Sequence, residues 1–248
     1  MAEEKISFIS HLEELRKRII ICLVAIGAGF GICCFFDKKI VDIIMKPLIN
    51  AMPLGTDRSI QFQGAEAFLA NLKVSFFAGI SLAAPVILYE IWCFISPGLY
   101  DKEKKYVFPF VLFSTLLFVS GVLFCYFLAL PVAFQFFMSY TSETMKPLNY
   151  LGQNLSLILK MLLAFGILFQ LPIFMFFLSK IGIVNVRMLS RNRKYAILVI
   201  FIIAAVITPT GDAVTQTITA LPLYILYELS IVLIWAFNRK KAPLQDAS

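Results

Sequence analysis

Six long apolar runs, separated by short polar stretches, dominate the hydrophobic pattern of this chain. Runs of this kind are typical of helices that cross a bilayer, because about 20 apolar residues span a hydrocarbon core of about 30 Å. The pattern predicts an all-α integral membrane protein, a single polytopic domain over residues 1–248 with six transmembrane helices. The predicted spans are residues 19–36, 74–95, 107–130, 155–179, 195–207 and 218–237, followed by a tail at 238–248.

The fifth run is the shortest, and its apolar core at residues 196–207 would reach only about 18 Å. Basic stretches precede the fifth run and follow the sixth, so both ends of this pair belong on the same side of the membrane. The last two runs are therefore predicted to form a short hairpin. Prolines inside three runs, at Pro85, Pro172 and Pro222, predict kinks and hence a cupped bundle.

Lysine and arginine are distributed unequally between alternate loops. Fifteen lie before the first span, in residues 96–106, in residues 180–195 and after the last span, whereas five lie in the opposite loops. Cytoplasmic loops carry the excess of these residues. Both termini, and the hinge between the second and third spans, are therefore predicted to be cytoplasmic.

A second periodic pattern precedes the first span. Apolar residues recur at helical spacing from Ile6 to Ile19, which predicts an amphipathic helix over residues 1–18. Its polar face carries one carboxylate beside three cations, namely Glu14, Arg16, Lys17 and Arg18. One interpretation is that these charges only pair with one another along a helix that lies on the membrane surface.

Composition excludes several classes of protein. The chain is 60% hydrophobic and 15% charged, which does not fit a soluble core. The net charge is +7, and the basic residues lie at the ends of apolar runs. This placement favours contact with lipid headgroups over binding of nucleic acid. With His11 as the single histidine and no phosphate-binding glycine loop, neither a catalytic site, a metal site nor a nucleotide cofactor is predicted. The five cysteines form no Cys-x-x-Cys pair and are predicted to be buried free thiols. A secondary transporter stays open as an alternative.

The hinge between the second and third spans has an unusual charge pattern. Pro97 and Gly98 end the apolar run, and Glu103 then stands among lysines where a cytoplasmic loop normally carries only positive charge. Glu90 precedes Phe94 by four residues, so the two share a helix face beneath the hinge. Glu90 either helps to form an acidic pocket or simply reaches the membrane interface, and we favour the interface.

Gln170 places a polar amide near the centre of the fourth span. A polar group at that depth is costly and usually has a partner. That partner is either a neighbouring helix of the same bundle or a membrane helix of another protein.

Three ordered motifs carry a resemblance to a known family. They are His-Leu-Glu-Glu-Leu-Arg-Lys-Arg at 11–18, Ala-Pro-Val-Ile-Leu-Tyr at 84–89 leading to Phe-Ile-Ser-Pro-Gly-Leu-Tyr at 94–100 and Glu103, and Thr208-Pro209 followed by Asp212 and Gln216-Thr217. In this combination, over nearly the whole chain, the sequence closely resembles the TatC family, the signal-peptide receptor of twin-arginine protein export.

The resemblance implies a receptor that binds the paired arginines of a folded cargo's signal peptide at the cytoplasmic face of a prokaryotic inner membrane. Acidic family positions match Glu14 and Glu103. The expected signal-peptide site comprises Glu14, Arg16, Phe94, Pro97, Gly98, Leu99 and Glu103. Pro47, in the loop after the first span, and Asp212 match further functional positions, and the helical spacing adds Glu90.

The implied partners are TatA and TatB family subunits, further copies of this chain and membrane lipid, with the proton motive force as the energy source. The chain departs from the family at Gln170, where a glutamate is common. An amide cannot carry a charge, so the expected role of this position is a hydrogen-bonding dock for a partner helix.

Overall fold

The structure of the chain, a computed structural model, describes residues 2–52, 65–95, 107–139, 151–208 and 213–239. The regular elements in these residues are helices. In chain order they are α1 (Ala2–Cys34), α2 (Asp37–Ala51), α3 (Glu66–Ile95), α4 (Val107–Phe124), α5 (Leu130–Ser139), α6 (Leu151–Leu168), α7 (Leu171–Lys180), α8 (Val186–Arg191), α9 (Arg193–Ile207) and α10 (Ala213–Arg239). A short π-helical segment, Cys125–Ala129, joins α4 to α5.

Five helical stretches within the described ranges are long and apolar enough to cross a membrane. They are His11–Cys34, Glu66–Phe94, Phe108–Ser139, Gly152–Lys180 and Ala213–Ala236. The predicted fifth span corresponds to α9, whose 15 residues reach about 22 Å. The predicted all-α membrane fold is confirmed, and a short sixth crossing at α9 is compatible with it. The last helix is longer than predicted, because α10 has 27 residues and begins at Ala213.

The predicted amphipathic helix and the first span form one continuous helix, α1, of 33 residues. No proline occurs between Ala2 and Cys34, so every interior residue can donate its backbone N–H to the helix. As a result, the charged residues near the start of α1 are held in line with its apolar part.

The helix α2 was not predicted. It buries one face, formed by Ile44, Met45, Pro47 and Leu48. Pro47 was expected in the loop after the first span; it lies between the first two candidate spans, but inside a helix and with a buried side chain. A 15-residue segment that contains a proline resembles a loop in the sequence, whereas packing of its apolar face stabilises it as a helix.

The third predicted span was expected to end at residue 130, but helical structure continues to Ser139. Pro131 lacks an N–H and would interrupt a regular α-helical ladder. The chain widens by one residue before this point, where the N–H of Leu130 donates to the carbonyl of Cys125, five residues earlier. The π-helical turn therefore carries the helix past the proline.

The fourth span is interrupted just before Pro172, as the proline predicted. Phe169 and Gln170 form a turn between α6 and α7, and the Gln170 N–H donates to the Ile167 carbonyl at 2.9 Å, a tight three-residue bond. Pro85 and Pro222, in contrast, lie inside α3 and α10, which continue through them.

The chain divides into two compact units. The first contains Met1–Ile49, Asp57–Leu116 and Leu148–Leu159, and the second contains Asn50–Thr56, Leu117–Pro147 and Lys160–Ser248. Aromatic packing is prominent in the second unit, where the ring centroids of Phe124, Phe165 and Phe169 lie 5.6–6.5 Å apart. Gly121 lets the backbone approach this cluster, because a Cβ there would lie 2.6 Å from the Phe165 carbonyl oxygen.

Two glycines bring α1 and α3 into backbone contact in the first unit. A Cβ on Gly29 would lie 2.6 Å from the Gly79 oxygen, and a Cβ on Gly79 would lie 2.5 Å from the Phe30 nitrogen. Real Cβ atoms essentially never approach backbone so closely. Small residues are the usual means by which membrane helices approach each other, since lipid offers no hydrophobic driving force between them.

We predict that Gly79→Ala lowers the stability of the first unit. The added methyl group meets backbone instead of a flexible side chain, so relief requires α1 and α3 to separate. Overpacking of this kind typically costs about 1–3 kcal/mol. The measurement is the unfolding midpoint of the purified protein in detergent.

The controls for this prediction are Gly27→Ala and Gly31→Ala on α1, the partner helix in this contact. A Cβ at either position meets nothing within 4 Å. Alanine favours a helix over glycine by about 1 kcal/mol, so these variants should be as stable as the wild type or slightly more stable. Equal losses at Gly79 and Gly27 would contradict the prediction.

Candidate functional site

The helices α1 and α3 run antiparallel, and their register places charged residues opposite one another. Eleven residues separate Gly29 from Arg18 on α1, and eleven separate Gly79 from Glu90 on α3. At 1.5 Å per residue, both side chains lie about 16 Å from the glycine contact. Arg18 therefore meets Glu90 across the helix pair, although 72 residues separate them in the chain.

Arg18 contacts two carboxylates. Its Nε and Nη2 donate to Glu14 Oε1 at 3.1 and 2.5 Å, and its Nη1 donates to Glu90 Oε2 at 2.9 Å. Glu14 lies one turn before Arg18 on the same helix, so their contact is a local pair. We refer to Glu14, Arg18 and Glu90 as the charge cluster.

The three side chains of the charge cluster differ in exposure. The Glu14 side chain is 34% exposed, that of Arg18 is 22% exposed and that of Glu90 is 9% exposed. With all three groups ionised, one cation between two carboxylates leaves a net charge of −1. A partly dehydrated site with excess negative charge favours a further cation.

Glu90 does not reach outward as the favoured interpretation expected. The residue is 7% exposed overall and its carboxylate pairs with Arg18. Helical spacing indicates which face Glu90 occupies, but only the packing of α1 against α3 supplies the partner that makes burial of its charge tolerable. Glu90 contributes its carboxylate to the charge cluster instead.

An aromatic contact lies beside the charge cluster. The His11 ring stacks on the Phe94 ring with centroids 4.5 Å apart and planes 19° apart. His11 precedes Arg18 by seven residues and Phe94 follows Glu90 by four, so both contacts involve the same faces of α1 and α3. Phe94 and Glu14, both predicted for the site, are thus brought close to Glu90.

The other described site residues lie elsewhere. Arg16 is exposed and forms no ion pair with a residue in the described ranges, whereas Pro47 is buried on α2. Gln170 is half-buried at the turn between α6 and α7, in the second unit. Further predicted positions fall outside the described residues, namely Pro97, Gly98, Leu99, Glu103 and Asp212.

Two members of this region were missed as site residues. Arg18 was noted as a cation on the polar face of the first helix and His11 as the single histidine, and both belong to the motif at 11–18, but neither was assigned to the site. The i to i+4 spacing of Glu14 and Arg18 indicates their pairing. No signal in one sequence indicates Glu90 as the second partner of Arg18 or Phe94 as the partner of His11.

The thiols and potential metal ligands show no further site in the part of the chain that the structure describes. None of the five cysteines, all of which lie in the described ranges, forms a disulfide; Cys33 and Cys125 are buried and the other three are half-buried. Among the described residues, no group of three or more histidine, cysteine, aspartate or glutamate side chains is arranged to hold a metal ion.

Comparison with known proteins identifies one family for this chain. Residues 10–222 match the profile of the family described as Sec-independent protein translocase protein (TatC). The Desulforapulum autotrophicum protein of that name is 46% identical over 240 residues, which cover 96% of this chain and 88% of the relative. The Aquifex aeolicus protein of the same name is 39% identical, with 96% of this chain and 98% of the relative covered.

A solved structure agrees with these relatives. The crystal structure titled as the twin-arginine translocase receptor TatC superimposes with a TM-score of 0.80 at 38% identity, covering 92% of this chain and all of the other. The family assignment replaces the secondary-transporter alternative. The chain therefore belongs to the TatC family, as a multi-pass subunit of a bacterial inner-membrane protein translocase complex, and it is not an enzyme.

Proposed function

We propose that this chain recognises twin-arginine signal peptides of folded proteins, with the carboxylates of Glu14 and Glu103 as the groups that bind the arginines. The observation that carries the proposal is the charge cluster, in which Glu14 already binds a guanidinium and is still 34% exposed. A solved relative is titled a twin-arginine translocase receptor, which supports the same role.

Guanidinium chemistry explains why paired arginines would be selected. A guanidinium is planar and donates two parallel N–H bonds to one carboxylate, whereas the lysine ammonium acts as a point charge. Each charge-assisted bond contributes about 1.5–3 kcal/mol. Two contacts at a partly dehydrated surface therefore discriminate paired arginines from paired lysines.

The distribution of charge supports a cytoplasmic location for this site. Fifteen lysines and arginines lie in the loops and termini predicted to share the side of residues 1–18, against five in the loops predicted for the other side. By the positive-inside rule, both termini are cytoplasmic. A signal peptide would then meet Glu14 and Glu103 before its cargo crosses the membrane.

The same proposal includes the partners of the receptor. Subunits of the TatA and TatB families and further copies of this chain would complete the complex, with the proton motive force as the energy source. Gln170 supports docking of a partner helix through its position, because it lies half-buried at a helix break. An amide there would donate and accept hydrogen bonds without carrying charge.

The first test concerns the hinge. Glu103→Ala should weaken binding of a twin-arginine peptide by roughly ten- to a hundredfold, because it removes a charge-assisted contact. Binding of a twin-lysine peptide should fall by a smaller factor. The measurement is peptide affinity for the full chain in lipid nanodiscs.

The matched control for the hinge is Asp101→Ala, which removes a carboxylate from the same segment. This variant should weaken binding of both peptides slightly and by the same factor. If Glu103→Ala also weakens both peptides equally, the loop contributes general electrostatics and does not recognise arginine.

A second test asks whether the two carboxylates act together. Glu14→Ala should also weaken binding of the twin-arginine peptide more than binding of the twin-lysine peptide. Combined with Glu103→Ala, the loss should be smaller than the sum of the two free-energy changes, because both groups hold one arginine pair. Fully additive losses would indicate that they contact the peptide independently.

A third test concerns partner docking. Gln170→Leu keeps side-chain size while removing the amide, so it should reduce co-purification of TatA- or TatB-type subunits and reduce export. Gln135→Leu, at an exposed position on α5, provides the control with the same chemical change. Unchanged co-purification and export in Gln170→Leu would rule out the dock.

A further inference from the structure

Glu14, a carboxylate proposed to bind the signal peptide, already accepts hydrogen bonds from Arg18. Both Nε and Nη2 of Arg18 donate to a single oxygen of Glu14, so a guanidinium from the same helix already holds one of the two oxygens that a peptide arginine would need for two parallel bonds. An incoming arginine must displace Arg18 from that oxygen or share the oxygen with Arg18. Sharing would bring two guanidinium groups to one carboxylate oxygen at close range, which their like charges oppose.

The Glu90 side chain is less exposed to solvent than the Glu14 side chain. The exposed fraction is 9% against 34% for Glu14, so the surface offers a peptide access to Glu14 rather than to Glu90. Arg18 reaches Glu90 with Nη1, a nitrogen that makes none of the contacts with Glu14. Arg18 can therefore leave Glu14 and stay paired with Glu90, and no charge is left buried without a partner.

We propose that Arg18 is an intramolecular competitor for Glu14, and that Glu90 retains Arg18 when a signal-peptide arginine takes its place. The inference rests on the proposed function and adds two residues that set the affinity of the site. In this exchange one guanidinium leaves Glu14 and another guanidinium binds it. The number of charge-assisted bonds on Glu14 therefore changes little.

Competition of this kind has a defined thermodynamic consequence. Apparent affinity falls by the fraction of free receptors in which Glu14 is available. Because Arg18 acts on the free receptor, it weakens every ligand of Glu14 by the same factor, whether arginine or lysine. Arg18 thus sets the lowest affinity for Glu14 at which a ligand still binds. Ligands that bind Glu14 more weakly than this do not displace Arg18.

The test measures affinities of twin-arginine and twin-lysine peptides for the full chain in nanodiscs, using a double variant. Arg18→Gln with Glu90→Gln removes one positive and one negative group, so net charge is unchanged and no buried charge is left alone. It should tighten binding of both peptides by the same factor, roughly two- to sixfold for an ion pair of this exposure.

The single variant Glu90→Gln should act in the opposite direction. Arg18 then has Glu14 as its carboxylate partner in the charge cluster and leaves it less readily, so both peptides should bind several-fold more weakly. A role of the cluster in stability alone predicts a lower unfolding midpoint without this reversal of sign. Lys17→Gln, an exposed cation next to Arg18, should change affinity by no more than about twofold.

The outcomes separate this inference from the proposed function. A wild-type chain that does not prefer the twin-arginine peptide contradicts the proposed function itself. If the wild type has that preference, weaker or unchanged binding in the double variant overturns the competitor. Unchanged or tighter binding in Glu90→Gln overturns the role of Glu90, and this variant decides the matter if the double variant does not fold.

Discussion

Contact between two glycine backbones, Gly29 on α1 and Gly79 on α3, is the constraint on which the candidate site depends. Helices are stiff over the eleven residues that separate this contact from Arg18 and Glu90, so the register at the glycines decides which side chains meet at the other end. Larger residues at the contact would move the helices apart, because the obstacle is backbone. A packing feature within the apolar part of the pair thus controls electrostatics near its charged end.

The charge cluster combines partial burial with incomplete neutralisation. Burying Glu90 would be costly without Arg18, and Arg18 in turn is held by two carboxylates. Because those carboxylates exceed the cation by one charge, the cluster favours a further cation. The cluster includes Glu14, one of the two carboxylates that we propose as the groups that bind arginine.

The approximate positions of the spans could be predicted because a helix that crosses a bilayer must be long and apolar. Five helical stretches in the described ranges have the necessary length and composition. Several helix ends could not be predicted. The π-helical turn before Pro131 extends the third span, and packing of the face around Pro47 creates α2. In both cases helical structure includes a proline, which lacks an N–H for the helical ladder.

The sequence by itself determined the class of the protein, the approximate spans, the predicted orientation and the resemblance to its family. These depend on composition, length and ordered motifs, all of which are local or summed along the chain. Tertiary structure alone decided that Arg18 contacts Glu90 as well as Glu14, and that His11 stacks on Phe94. The reason is physical: both pairings cross between antiparallel helices, and their register is set by a backbone contact that single-residue patterns do not reveal.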